Sequence, residues 1–364
     1  MFNGADLRSA RERAGISLNG MARQAHFTKS YLSVVETGKR PVTAEVVAAY
    51  KHVLGVPLAP PPADPVRAAH EWLLTESPVA EQVRSGRRVG SSLADELEHR
   101  VVELRHLDDT VSSGELGPVV ANELCEVQRV VADASFAEPV GHRLFAVVAE
   151  LAQLAGWVAS DAGRYRQAEF YYLSGVEAAN EARDAVLGAQ LLSSLSYQMA
   201  NVGSPQDAAL VARTATVGAA GATPMVRTLF LERVAWASAK AGQHDLTRRT
   251  LDQVDETYEL RGPPEPEWVY WLDREEIDVM AGRCLIGLGR PTEAEPLLSS
   301  AIANYPPEHA RETALYLSWL AESHARAGNT DAARETLCLA RQHAGTMPSA
   351  RADARLATIE RMLA

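Results

Sequence analysis

Apolar residues recur along this chain at the three- and four-residue spacing of helices, and no stretch shows the two-residue alternation of a half-buried strand. Leu7, Ala10 and Ala14 mark a first helix that Gly15 ends. Ser17 stands where an N-cap belongs, ahead of a second helix with Leu18, Met21, Ala22 and Ala25 on its apolar side. Thr28 caps a third, with Tyr31, Leu32 and Val35 on one face, and Thr43 caps a fourth, whose Val46, Val47, Tyr50, Val53 and Leu54 face inward as far as Gly55. Short helices packed this closely make a small bundle. The second and third are joined only through residues around His26 and Phe27, so they cross steeply, as in a helix-turn-helix, and the start of the third projects.

After the bundle, "GVPLAPPPADP" (55–65) carries five prolines in nine residues, an extended and fairly stiff spacer. Beyond it the pattern is helical throughout. Residues 66–140 read as a connector with two amphipathic helices around Gly114 and Gly117, the first carrying Leu93, Leu97, Val101, Leu104 and Leu107. From 141 to 364 one form returns in "DAGRYRQAEF", "NVGSPQDAAL", "KAGQHDLTRR", "GLGRPTEAEP" and "RAGNTDAARE". The central glycines are Gly163, Gly203, Gly242, Gly289 and Gly328, at intervals of 40, 39, 47 and 39 residues. Five residues after each glycine comes Ala168, Ala208, Thr247, Ala294 or Ala333; seven before it comes Gly156, Ser196, Ala235, Gly282 or Ala321. Two antiparallel helices joined at the glycine account for this form, the small residues letting them approach closely.

Charge divides the chain at the same place. Residues 1–56 hold eight Lys or Arg against four Asp or Glu, a balance of +4 in a chain whose net charge is -11, which leaves -15 for the remainder. A basic head on an acidic body implies two domains with different partners. The projecting N-terminal end of the third helix has free backbone N–H groups and the positive end of the dipole, which suit phosphates and base edges. Thr28, Lys29, Ser30 and Ser33 are therefore expected at the major groove of double-stranded DNA, with Lys39 and Arg40 on its backbone and Glu36 held inside as a structural partner.

The run "SLNGMARQAHFTKSYLSVVETGKRPVTAEVVAAYKHVLGV" resembles the XRE family of repressor-type helix-turn-helix domains at Ala22, Leu32–Ser33, Glu36, Gly38–Lys39–Arg40 and Leu54–Gly55. It departs at Leu18, where the family often has Gln, and at His26, where it often has Gly. The repeats resemble elongated tetratricopeptide repeats, best in the first copy with Gly163, Tyr165 and Ala168. Taken together the chain is similar to the XRE–tetratricopeptide regulators of actinomycetes. The fold class expected is all-α: a helix-turn-helix bundle (1–56), a Pro-rich hinge (57–65), a helical connector (66–140) and a tetratricopeptide-like α-solenoid (141–364).

That resemblance implies a sequence-specific transcriptional regulator acting as a homodimer, its repeats sensing a small molecule or peptide or mediating dimerisation. A repeat scaffold for other proteins is the alternative. The concave groove of such arrays is lined by residues ten, six and two before each turn glycine, all on one face of the first helix. Here those columns supply Gln153, Trp157, Ser193, Tyr197, Asn201, Glu232, Trp236, Lys240 and Arg283 as candidate effector contacts, in a chain with only 6% aromatic residues. The other reading of Trp157, Tyr197 and Trp236 is packing between adjacent repeats. The peptide-sensing quorum regulators of Gram-positive bacteria are similar in domain pairing, which implies a short peptide as one candidate.

Other chemistry finds no footing. GxGxxG, P-loop, HExxH and GxSxG patterns are absent, so no cofactor, no metal and no enzymatic role are expected. His142, His244 and His324 stand singly, and acidic pairs such as Glu275–Glu276 are read as solvated helix faces. Cys125, Cys284 and Cys338 are expected as ordinary buried thiols of a reduced cytoplasmic protein. Nothing resembles a signal core, and no run approaches the ~18 apolar residues of a membrane span.

Overall fold

A computed structural model describes residues 4–13, 16–54, 64–68, 89–305, 309–346 and 349–364. Most of the predicted hinge, Gly55 and Ala14–Gly15 lie outside the described residues. The chain forms two compact units, Met1–Asp64 and Pro65–Ala364. Among the described residues both are helical and neither contains a β-sheet.

The first unit holds α1 (Gly4–Arg13), α2 (Leu18–Gln24), α3 (Lys29–Glu36) and α4 (Ala44–Leu54). The caps act as the sequence suggests. Ser17 Oγ accepts from the Gly20 N–H at 3.0 Å, Thr28 Oγ1 from the Tyr31 N–H at 3.2 Å, and Thr43 Oγ1 from the Val46 N–H at 3.4 Å. Leu7, Met21, Leu32, Val35, Val46 and Tyr50 meet in a core closed to solvent. One polar knot lies inside it. Arg11 donates from Nε and Nη2 to the two carboxylate oxygens of Glu36, at 2.7 and 2.8 Å, and the Tyr50 hydroxyl donates to Glu36 Oε1 at 2.7 Å. This fork ties α1, α3 and α4 together, so Glu36 is the internal partner its position suggested.

In the second unit residues 65–68 are helical, and its first long helices are α5 (Ser91–Leu107) and α6 (Ser113–Asp133). Gly114 and Gly117 do not separate these helices; they lie in the first turns of α6, and the break falls at residues 108–112. Five antiparallel pairs follow. They are α7 (Glu138–Asp161) with α8 (Tyr165–Glu181), α9 (Ala185–Val202) with α10 (Pro205–Gly218), and α11 (Pro224–Lys240) with α12 (His244–Tyr258). Then come α13 (Arg274–Gly287) with α14 (Pro291–Asn304), α15 (Ala310–Arg326) with α16 (Thr330–Ala344), and a last unpaired α17 (Ala350–Leu363). Each helix packs chiefly on its neighbours in sequence and on the helix two removed, the contact pattern of an α-solenoid.

Four of the five turn glycines, Gly163, Gly242, Gly289 and Gly328, sit at φ between 72° and 85°, where a side chain would be strained. Gly203 does not, at φ -126°; there Ser204 caps α10 and Pro205 opens it. Within the helices, a Cβ on Gly156 would meet the Tyr172 ring at 2.5 Å and one on Gly282 would meet Leu298 at 2.8 Å, so these positions must stay bare for the pairs to close. The 47-residue interval is explained by the segment after α12, where Trp268, Val269 and Leu272 are buried. That segment reaches back to α5: Tyr270 donates to Asp109 at 2.6 Å, and His106 meets Glu267 at 3.2 Å.

The array winds far enough for its last helix to meet its first pair. Ser349, the N-cap of α17, donates to Asp161 Oδ1 at 3.0 Å, and Arg351 pairs with the same carboxylate at 3.1 Å. Arg311 at the start of α15 holds the Asp108 carbonyl at 2.8 Å and its carboxylate at 3.4 Å. Among the cysteines only Cys284 is buried; Cys125 and Cys338 lie on outward helix faces and are exposed. Among the described residues one helix, Glu138–Asp161, is long and apolar enough to cross a membrane, but its apolar part is 72% buried within this unit.

Candidate functional site

The first helices of the pairs carry the predicted effector residues, and the fold sorts them. Gln153 is spent on structure: its carbonyl accepts from Arg105 at 2.9 Å and its amide donates to Ser194 at 3.2 Å. Ser193 is likewise occupied, donating to the Gln190 backbone carbonyl at 2.9 Å. Trp157 and Tyr197 stack at 5.9 Å with 27° between their rings. Both are only half-buried, and together with Asn201, Asp161, Gln198 and Arg351 they line a small pocket of about 40 Å³, enough for a few water molecules. Trp236 is fully buried and meets Trp319 edge-on at 5.4 Å, so this residue is core. Lys240 is exposed, with its ammonium 5.6 Å from the Trp236 ring.

Arg283 joins these groups. Its Nη1 donates to the Tyr197 hydroxyl at 3.0 Å, and its guanidinium lies 4.2 Å from the Trp236 ring and 4.9 Å from that of Trp319. Arg233 approaches Tyr197 to 4.5 Å and Trp271 to 5.8 Å. From α17, Arg351 covers Trp157 at 5.2 Å, while Arg355 lies 3.4 Å from the Trp319 ring and pairs with Glu322.

This density of guanidiniums reshapes the titration of its neighbours. Burial would push the Tyr197 phenol up, but Arg283, Arg351 and Arg233 outweigh it and bring it down to about 8. Glu232 goes the other way: burial pushes it up to about 8, against the pull of Arg233. Glu276, expected on a solvated face, instead accepts from Tyr305 at 2.8 Å and from Tyr316, and burial pushes it up to about 7. Burial also lowers Arg233 and Arg355. Among the described residues no group of His, Cys, Asp or Glu could hold a metal ion.

In the smaller unit, the candidate DNA residues gather around α3. Thr28, Lys29 and Ser30 are exposed at its N-terminal end, and Ser33 is half-buried one turn on. Thr28 is committed as the cap, which leaves Lys29 and Ser30 as the free groups of the first turn. Gly38, at φ 73°, turns the chain after the helix, so that Lys39 and Arg40 follow in an exposed loop. The Arg40 N–H returns to the Val34 carbonyl at 3.1 Å and its guanidinium lies 5.5 Å from the Tyr31 ring, which Phe27 stacks at 5.4 Å. Arg40 is thereby held beside α3. The turn between α2 and α3 is made by His26 at φ 55°.

Residues 4–60 match the helix-turn-helix domain family. No curated protein matches the chain. Among solved structures it is similar to Bacillus thuringiensis PlcR in complex with the peptide PapR7 and DNA, with a TM-score of 0.40 and 11% identity, over 86% of this chain and 98% of that one. The matched domain heads a chain whose larger part is the helical array described above.

Several inner residues escape a count made back from the turn glycines. Arg233 stands one position off the tenth-before column, and Arg351 and Arg355 belong to a helix followed by no such glycine. The signal that could have found the latter is their spacing of four on a helix at the position of a sixth first helix. Trp319, nine before Gly328, falls outside the columns for the same reason as Arg233.

Proposed function

We propose that this protein is a sequence-specific DNA-binding transcriptional regulator of XRE type, related in design to the actinomycete regulators with repeat bodies, and that its repeats sense a small molecule or peptide. The observation that carries the reading is the first turn of α3: Lys29 and Ser30 stand exposed at a helix N-terminus in a domain matched by the helix-turn-helix family, with Lys39 and Arg40 in the loop behind. A homodimer follows from the way such heads work, reading two half-sites about one helical turn, ~34 Å, apart. The role is regulatory, not enzymatic, and cytoplasmic.

Selection of bound fragments from random duplexes by the full chain tests it, followed by mobility shifts on the winning site. Lys29→Ala is expected to lose ~1–3 kcal/mol and relax preference at one base pair, as a groove contact does. Arg40→Ala is expected to weaken all duplexes alike and to lower the salt slope by about one unit. Selection that returns no preferred sequence sinks the proposal, and identical behaviour of the two variants sinks the division of roles.

A further inference from the structure

Several inward-turned guanidiniums of the repeat unit face a carboxylate. Arg311 meets Asp108, Arg351 meets Asp161, and Arg355 meets Glu322. Arg233 and Arg283 do not: no described carboxylate lies within ion-pair distance of either, although both are 7% exposed. Burial also pushes the nearby acids up, Glu232 to about 8 and Glu276 to about 7, which weakens their compensation of these charges. The Nε of Arg233 and the Nε of Arg283 are buried without an acceptor, as is the indole Nε1 of Trp236 beside them. A buried charge without partner is among the most costly things a core can hold, and buried donors normally find acceptors. Here two guanidiniums that face no carboxylate bracket one phenol ring, Tyr197, at 4.5 and 5.4 Å, with Arg283 donating to its hydroxyl at 3.0 Å. The same ring forms a wall of the pocket that Trp157 and Arg351 line.

We propose that Arg233 and Arg283 form a recognition site for the carboxylate of an organic acid whose apolar or aromatic body packs on Tyr197 and its neighbouring indoles. The guanidinium edges supply the donors, since their faces already cover rings, and a carboxylate takes two such donors at once. The acid is either a free small molecule or the C-terminus of a short peptide; both present the same group. This deepens the sensing role proposed above and rests on it for its biological meaning, but the site is testable without DNA.

The test uses the full chain and matched probes differing only in charge: N-acetyl-phenylalanine and its amide, and the tripeptide Ala-Ala-Phe and its C-terminal amide. Binding is followed by tryptophan fluorescence and by shift of the melting temperature. The acids are expected to bind at least tenfold more tightly than the amides. Arg233→Gln and Arg283→Gln are each expected to bring that ratio near one while leaving the weak amide binding in place. Arg248→Gln, on an exposed outer position, is expected to leave the ratio unchanged. Removing a buried charge that faces no carboxylate is not expected to unfold the chain. If Arg283→Gln does unfold, Arg283→Lys, which keeps the charge but not the fork, should give an intermediate ratio. A larger acid preference for the tripeptide assigns the peptide source and a larger one for the single residue the small acid, and both support the site. Equal binding of acid and amide by the native chain, no binding of either, or a preference surviving the double Gln variant overturns it. Acid binding that leaves DNA affinity unchanged counts against the sensor role alone.

Discussion

Replacing Arg11 by Met would strand Glu36. Its side chain is 3% exposed, Arg11 supplies two of the three bonds that hold it, and only the Tyr50 hydroxyl would remain. Breaking a buried pair from one side costs ~3–5 kcal/mol, because the uncompensated charge stays inside. A unit of this size, Met1–Asp64, has little more stability than that to lose, since a core this small seldom supplies more than ~3–5 kcal/mol. Arg11→Met is therefore expected to unfold the head near 37 °C and abolish DNA binding. The repeat unit, with a separate core, should keep its own melting transition. The companion Arg11→Met/Glu36→Leu removes both charges and leaves neutral groups, the Tyr50 hydroxyl and the Ile16 carbonyl, without these partners, a loss of ~1–3 kcal/mol each, so it should recover part of the stability. Circular dichroism melting with parallel mobility shifts reads both. Equal destabilisation by the single and double variants would refute the reasoning, for the stranded charge would then not be the cause.

Glu232 gives a pH signature. Its folded value, about 8, lies above the usual 4.5, so its contribution is full below pH 4.5 and is lost as pH rises through about 8; the melting temperature should fall across that window, and Glu232→Gln should flatten the fall. Trp236→Ala should cost ~3–5 kcal/mol, as for a deleted core aromatic, whereas half-buried Trp157→Ala should cost clearly less in the same denaturant titration. His26→Gly removes a side chain from φ 55°; chemical denaturation should show the head unchanged or firmer by up to ~1 kcal/mol, and a marked loss would mean the imidazole makes a stabilising contact.

How much of this was legible beforehand depends on how local the cause was. The caps at Ser17, Thr28 and Thr43 are decided within three residues, so sequence suffices. The turn glycines are legible because φ above 70° leaves few other choices. Gly114 and Gly117 misled for the same reason in reverse: Gly is a turn signal, but both lie inside a helix, where the guanidinium end of Arg164 from the α7–α8 turn comes up against Gly117, a fact about a distant segment. Along the inner face, periodicity found the helix side that holds Tyr197 and Arg283 but not the partners that decide its chemistry. Gln153 is silenced by Arg105, 48 residues away, and Arg351 arrives at Trp157 only because the array has curved round. Superhelical curvature accumulates from small rotations at every interface and leaves no mark at any one position.

That curvature has a mechanical consequence. In an open stack of repeats a disturbance must pass from one neighbour to the next, losing strength at each interface. Where Asp161 is clasped by Ser349 and Arg351, and Asp108 by Arg311, the stack becomes a ring, and news from its first pair reaches its last helix in a single step. A ring also resists fraying, because neither end can peel away without breaking a buried carboxylate's bonds. The repeats are thereby tied to open or hold together, so that an effector of the kind proposed above would act on the whole circumference at once.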